Sequence, residues 1–203
     1  MRYNGVLPAW ESEMTVAIGV YFFVMAFVLA QLEIQIEGPH GWAEKLPTWR
    51  WQTPGVLRWA GKPITGYHFY LILFILLFIH LPMMSTGWTA AKEGETMSLF
   101  FLLAVCWDFL WFVCNPHFGI SRFRAGNVWW FKKWFLGLPG TYYSGLGLSM
   151  VAYAIPGLLA PDTNWAERCA RWGSVFGVMF AGVLVTLAVT SRRKTAVADV
   201  VKT

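Results

Sequence analysis

Three side chains able to carry protons or hold a cation stand close together early in the chain: Glu33, Glu37 and His40. Glu33 and Glu37 are four residues apart, so a helix running through both would stack their carboxylates on one face. Gly38-Pro39 must then end that helix, because proline disfavours the helical conformation at the residue before it. Glu37-x-x-His40 has the spacing of the carboxylate–imidazole pairs in di-iron bundles, but Gly-Pro lies between the two groups here and spoils the helical geometry. The alternation of apolar and polar residues from Leu32 to Glu37 also permits an extended exit. Glu33, Glu37 and His40 are the candidate metal ligands, with a transition ion as the implied cofactor. Carboxylates at a helix C-terminus meet the negative end of its dipole, which favours a compensating Arg, Lys or metal ion.

A second group surrounds Asp108. It lies in an apolar run, seven residues before Asn115, hence about 10 Å from the end of that run. A carboxylate at such depth costs at least ~2.5 kcal/mol on insertion scales and normally faces a partner or a wet cavity. Asp108, Trp111 and Asn115 follow i, i+3, i+7 and share a helix face. The expected acid/base groups are Asp108 with His68 or His117. Arg50 and Arg122 could grip an anionic headgroup, since a guanidinium fits phosphate bidentately. Asn115 and Tyr67 complete the expected substrate-binding set. A wider metal variant draws His68, Asp108 and His117 in beside Glu33, Glu37 and His40. His80, twelve residues beyond His68 and roughly 18 Å further along a helix, stands apart from this cluster and reads as a hydrogen-bonded packing residue.

Five apolar stretches must position these groups: residues 15–32, 67–84, 97–114, 142–160 and 172–190. At about 1.5 Å per residue each reaches roughly 27 Å, close to the ~30 Å hydrocarbon core. Lipid offers no partner for free backbone groups, so such segments form helices. The expected fold is an all-α integral membrane protein, one bundle of five transmembrane helices over residues 1–190 with a short tail over 191–203. The composition, 57% hydrophobic and 13% charged, agrees, since soluble domains carry about 25% charged residues. Val28-Leu29-Ala30 could pass for a processing site, but Glu11 and Glu13 stand where a signal peptide needs positive charge, so a retained helix is expected.

Basic residues of short loops stay cytoplasmic. The loops after the first and third stretches and the C-terminal tail hold 12 Lys and Arg, against 4 on the other side, in phase with five crossings. The N-terminus is expected outside and the C-terminus in the cytoplasm, in a plasma or inner membrane. Seven of the 13 tryptophans (Trp42, Trp49, Trp51, Trp59, Trp129, Trp130, Trp134) lie in the two basic loops. Tryptophan with Lys and Arg at headgroup level marks both loops as interfacial and membrane lipids as partners. The same interleaving suits single-stranded nucleic acid, but the lipid interface accounts for it and no nucleic-acid partner is expected.

The fourth and fifth stretches lack charges. Gly173-x-x-x-Gly177-x-x-x-Ala181 is a small-residue stripe suited to close helix approach or to a membrane-protein partner. The three cysteines form no CxxC pair, and no nucleotide-binding loop, HExxH or GxSxG motif is present. Three functions fit this placement of residues. The first is an enzyme acting on a lipid or isoprenoid through the cytoplasmic polar cluster. The second is an accessory subunit of a larger redox or pigment-binding membrane complex. The third is a small transporter or channel using Asp108.

Overall fold

A computed structural model describes residues 9–52, 62–160 and 162–200. Arg2, Arg58, Trp59 and Lys202, used in the charge and tryptophan counts, lie outside the described residues. Five helices appear where apolar stretches were expected: α1 (Ala9–Glu37), α2 (Gly66–Thr86), α3 (Ala90–Cys114), α4 (Gly140–Leu158) and α5 (Trp165–Val200). Spans in α1, α2, α3 and α5 are long and apolar enough to cross a membrane. The 19-residue α4 carries Tyr142, Tyr143, Ser144, Ser149, Tyr153 and four glycines, which lower its apolarity.

Most helices overrun the apolar stretches. α1 continues through the alternating segment to Glu37, so the exit is helical rather than extended. Gly38 ends it in the left-handed region (φ 58), its N–H bonded to Ile34 O at 2.9 Å, a conformation glycine adopts without a Cβ clash. α3 begins at Ala90, seven residues before its apolar run, because the Thr89 side chain caps the first turn by accepting from Lys92 N.

α3 is the central helix and packs against each of the other four. Phe22, Ala26, Leu102, Leu103, Leu110, Val175 and Met179 form the apolar core between α1, α3 and α5. Ser98 and Ser149 bond through their hydroxyls at 2.8 Å, and Trp172 Nε1 donates to Ser149 Oγ at 3.0 Å, tying α3, α4 and α5 together. A Cβ on Gly94 would lie 2.5 Å from Ala152 O, so only glycine permits this approach of α3 to α4. By contrast, Gly173 and Gly177 have nothing within 4 Å, and Ala181 is exposed. The expected stripe makes no close approach within the chain. α2 turns Phe69, Phe74, Leu77, Phe78 and Leu81 outward, a surface suited to lipid or protein rather than water.

Both long connections lie at one end of the bundle. Each contains a two-residue hairpin, Arg50–Trp51 (β1) with Ile64–Thr65 (β2), and Trp134–Phe135 (β3) with Leu138–Pro139 (β4). Trp130, Phe131, Phe118 and Phe123 from the second connection pack on Trp111, Phe112 and Tyr142 as a buried aromatic cap. At the opposite end His80 Nε2 lies 3.2 Å from Glu93 Oε1 and joins α2 to α3.

Candidate functional site

The C-terminus of α1, the N-terminus of α2, the late part of α3 and the start of α4 meet beneath these loops. Because α1 stays helical, Glu33 and Glu37 project from one face, both buried. Across from them His68 stands in the first turn of α2, also buried. Its Nε2 lies 3.2 Å from Glu33 Oε1 and 3.7 Å from Glu37 Oε1. Thr65 orients the ring. As N-cap its Oγ1 accepts from His68 N at 3.3 Å, and it lies 2.7 Å from His68 Nδ1.

The first loop closes over this cluster. Trp42 and Ala43 both adopt positive φ (59 and 52), a strained conformation for non-glycine residues. The result is functional geometry: the Ala43 N–H donates to Glu37 Oε1, and the Trp42 ring stacks on His68 with centroids 4.0 Å apart. Trp42 Nε1 donates to Pro63 O at 2.8 Å. Lys62 Nζ lies 3.3 Å above the Trp42 ring and is within electrostatic reach of Asp108, Glu33 and Glu37. Burial pushes the Lys62 ammonium down to about 8, against the three carboxylates, which pull it up.

Asp108 faces the same space from α3 and accepts a 2.5 Å hydrogen bond from Tyr142 OH on α4. Glu33, Trp42, Lys62, His68, Trp107 and Asp108 line a cavity of about 190 Å³. Trp107 Nε1 is buried without a hydrogen bond of good geometry among the described residues, although it approaches Glu33. Tyr67 OH is likewise buried and unpartnered there, within electrostatic reach of Glu33 and Glu37. An apolar groove of about 220 Å³ runs along α3, α4 and α5 and is lined by Tyr142, Val105, Phe109, Phe176 and Met179 among others. Tyr142 therefore lines the groove, and its hydroxyl bonds Asp108, which lines the polar cavity.

The structure thus brings together Glu33, Glu37, His68 and Asp108, with Tyr67 alongside. It leaves the other expected residues elsewhere. His40 is 44% exposed and pairs with Glu44 at 3.5 Å, because the Gly38-Pro39 break carries it away from α1. His117 is exposed, and only its backbone N–H is engaged, donating to Asn115 Oδ1 at 2.9 Å. Asn115 is fully buried and ties the two long loops, donating to Gly38 O at 2.8 Å and accepting from His117 and Phe118 N. Arg50 spends its guanidinium on the carbonyls of Ala43, Glu44, Leu46 and Thr48. Arg122 is exposed and lies 5.6 Å from the Phe118 ring. These last two positions hold or flank the loops and do not line the cavity.

Lys62, Thr65, Trp42, Trp107 and Tyr142 were not singled out from sequence. Thr65 carried a signal, a threonine at the entry to an apolar helix. Tyr142 carried none, since a tyrosine at a helix start in a charge-free segment is indistinguishable from an interfacial anchor. Comparison of the chain with protein families, with characterised proteins and with solved structures finds no match.

Proposed function

We propose that this chain is a multi-pass membrane enzyme acting on an amphiphilic lipid or isoprenoid, with Asp108 and His68 as its acid/base pair. The observation that carries the reading is the Tyr142–Asp108 hydrogen bond, which links a residue lining the apolar groove to a residue lining the polar cavity. A hydrocarbon tail in the groove would lie against the Tyr142 ring, whose hydroxyl bonds Asp108, and Asp108 lines the cavity with His68 and Lys62. A buried, loop-covered polar cavity favours proton transfer, because low dielectric strengthens each electrostatic contact. In this reading all five helices cross the bilayer, the N-terminus outside and the cavity at the cytoplasmic face, as the basic loops favour. The test is lipid mass spectrometry of membranes with and without the chain. A lipid species that appears or disappears with expression supports the reading, and identical lipid profiles over a broad range of membrane compositions oppose it.

A second reading, an accessory subunit, is favoured by the exposed face of Gly173, Gly177 and Ala181, whose small side chains suit a partner helix. A stable larger complex in mild native extraction, lost on Gly173→Leu, would support it; a single-chain particle would oppose it.

A further inference from the structure

We infer that Glu33, Glu37 and His68 bind one divalent first-row transition ion, of which zinc is the simplest case. The inference rests on the same cavity being a working site; with the ion bound, His68 serves as its ligand and Asp108 keeps the proton-transfer role. Its first support is distance. Ligands at about 2.0–2.2 Å from a metal stand roughly 3.0–3.6 Å apart when adjacent in the coordination sphere. His68 Nε2 lies 3.2 Å from one carboxylate oxygen and 3.7 Å from the other, and one donor atom from each of the three residues falls within 4.8 Å of the others. The two His68–carboxylate distances fall in or next to that range.

Charge is the second support. Glu33, Glu37 and Asp108 gather three carboxylates at a cavity inside a helix bundle, and Lys62 is the one cationic side chain lining it among the described residues. Unbalanced buried charge is expensive. One divalent cation between Glu33 and Glu37 neutralises the cluster and leaves Lys62 to balance Asp108.

The third support is the surroundings of the donors. Metal-bound histidines characteristically donate their other ring N–H to an oxygen that fixes the tautomer. Thr65 Oγ1 stands in that place, 2.7 Å from Nδ1. With the proton on Nδ1, the Nε2 lone pair faces two carboxylates, an arrangement of three electron-pair donors that a cation completes. Ala43 N–H holds the Glu37 carboxylate in the same way. Trp107 Nε1, on a residue 6% exposed, has no well-formed hydrogen bond among the described residues and approaches Glu33 on the cavity wall, a donor placed to steady that ligand or a water held by the ion. Three protein ligands leave a coordination position open on the cavity side, the pattern of catalytic rather than structural sites.

The experiment is zinc titration of the chelator-stripped full chain in lipid nanodiscs, read by elemental analysis and by thermal unfolding. The expected result is one zinc per chain and a raised unfolding temperature. Thr65→Ala should weaken binding about 10–100-fold. His68→Ala and Glu37→Gln should abolish stoichiometric uptake, while His40→Ala and His117→Ala retain it. Cobalt in place of zinc should give visible bands of a four- or five-coordinate ion in the wild-type chain, so the inference stays testable if a ligand variant does not assemble. A monodisperse wild-type chain that takes up neither ion, or uptake equal in His68→Ala and wild type, overturns it. Lipid conversion without metal uptake would leave the acid/base reading standing and remove only the ion. Metal uptake without lipid conversion would do the reverse.

Discussion

Tyr142 OH donates to Asp108 Oδ2 at 2.5 Å, joining the first turn of α4 to the buried late turns of α3. The ring of Tyr142 is held independently, between Phe109, Phe123 and Phe131. Tyr142→Phe should therefore keep the packing and remove one hydrogen bond. Such bonds in membranes average about 0.6 kcal/mol and reach ~1.7, so thermal unfolding should shift modestly while lipid conversion falls at least severalfold. Unchanged conversion would show that the bond serves packing alone.

Lys62 should titrate near pH 8, well below surface lysines. Its sign follows from burial. The folded chain disfavours the charged form, so between about 8 and the ordinary value of 10.5 the unfolded chain binds the extra proton and this group's contribution to stability rises with pH. The check is the pH profile of acylation at Lys62, read by peptide mass spectrometry. A midpoint near 8 is expected, and one at the ordinary lysine value would contradict the buried setting beside Trp42.

Asn115→Ala should destabilise rather than weaken substrate binding. It strips partners from Gly38 O and from the N–H groups of His117 and Phe118. These groups are part-buried, so leaving each unsatisfied costs toward the low end of about 1–3 kcal/mol. The expected outcome is a lower unfolding temperature with an unchanged KM in the protein that remains folded. A raised KM at full stability would return Asn115 to the substrate.

Orientation is open to direct labelling. With Cys169, which is exposed, replaced by serine, Asp162→Cys should react with an impermeant thiol reagent outside intact cells and Arg124→Cys should be protected. The reverse pattern would place the polar cavity on the outer face.

The helices were legible because 18-residue apolar runs admit one backbone solution in lipid, and their ends were not. α1 gains five residues beyond Leu32 because Glu33 and Glu37 find Ala43 N–H in the loop that follows and His68 and Lys62 further along the chain. Glu33, Glu37, His68 and Asp108 were legible as residue types out of place in apolar sequence. Which histidine joins them was not: His40 is nearest in sequence to Glu37, yet the left-handed turn at Gly38 carries it outward and the pairing of β2 with β1 sets His68 at the start of α2 instead. Arg50 and Asn115 looked like ligand-binding groups because nothing local reveals that a side chain will be consumed by loop carbonyls.

The most direct test of the proposed function is Asp108→Asn, which keeps shape and much of the hydrogen bonding to Tyr142 while removing the acid. Wild type and variant would be compared at matched membrane abundance, with lipid species quantified by mass spectrometry. The account predicts normal assembly and loss of conversion by two orders of magnitude or more, the scale of a general acid/base contribution (about 10²–10⁴-fold). Full conversion in the asparagine variant would contradict it.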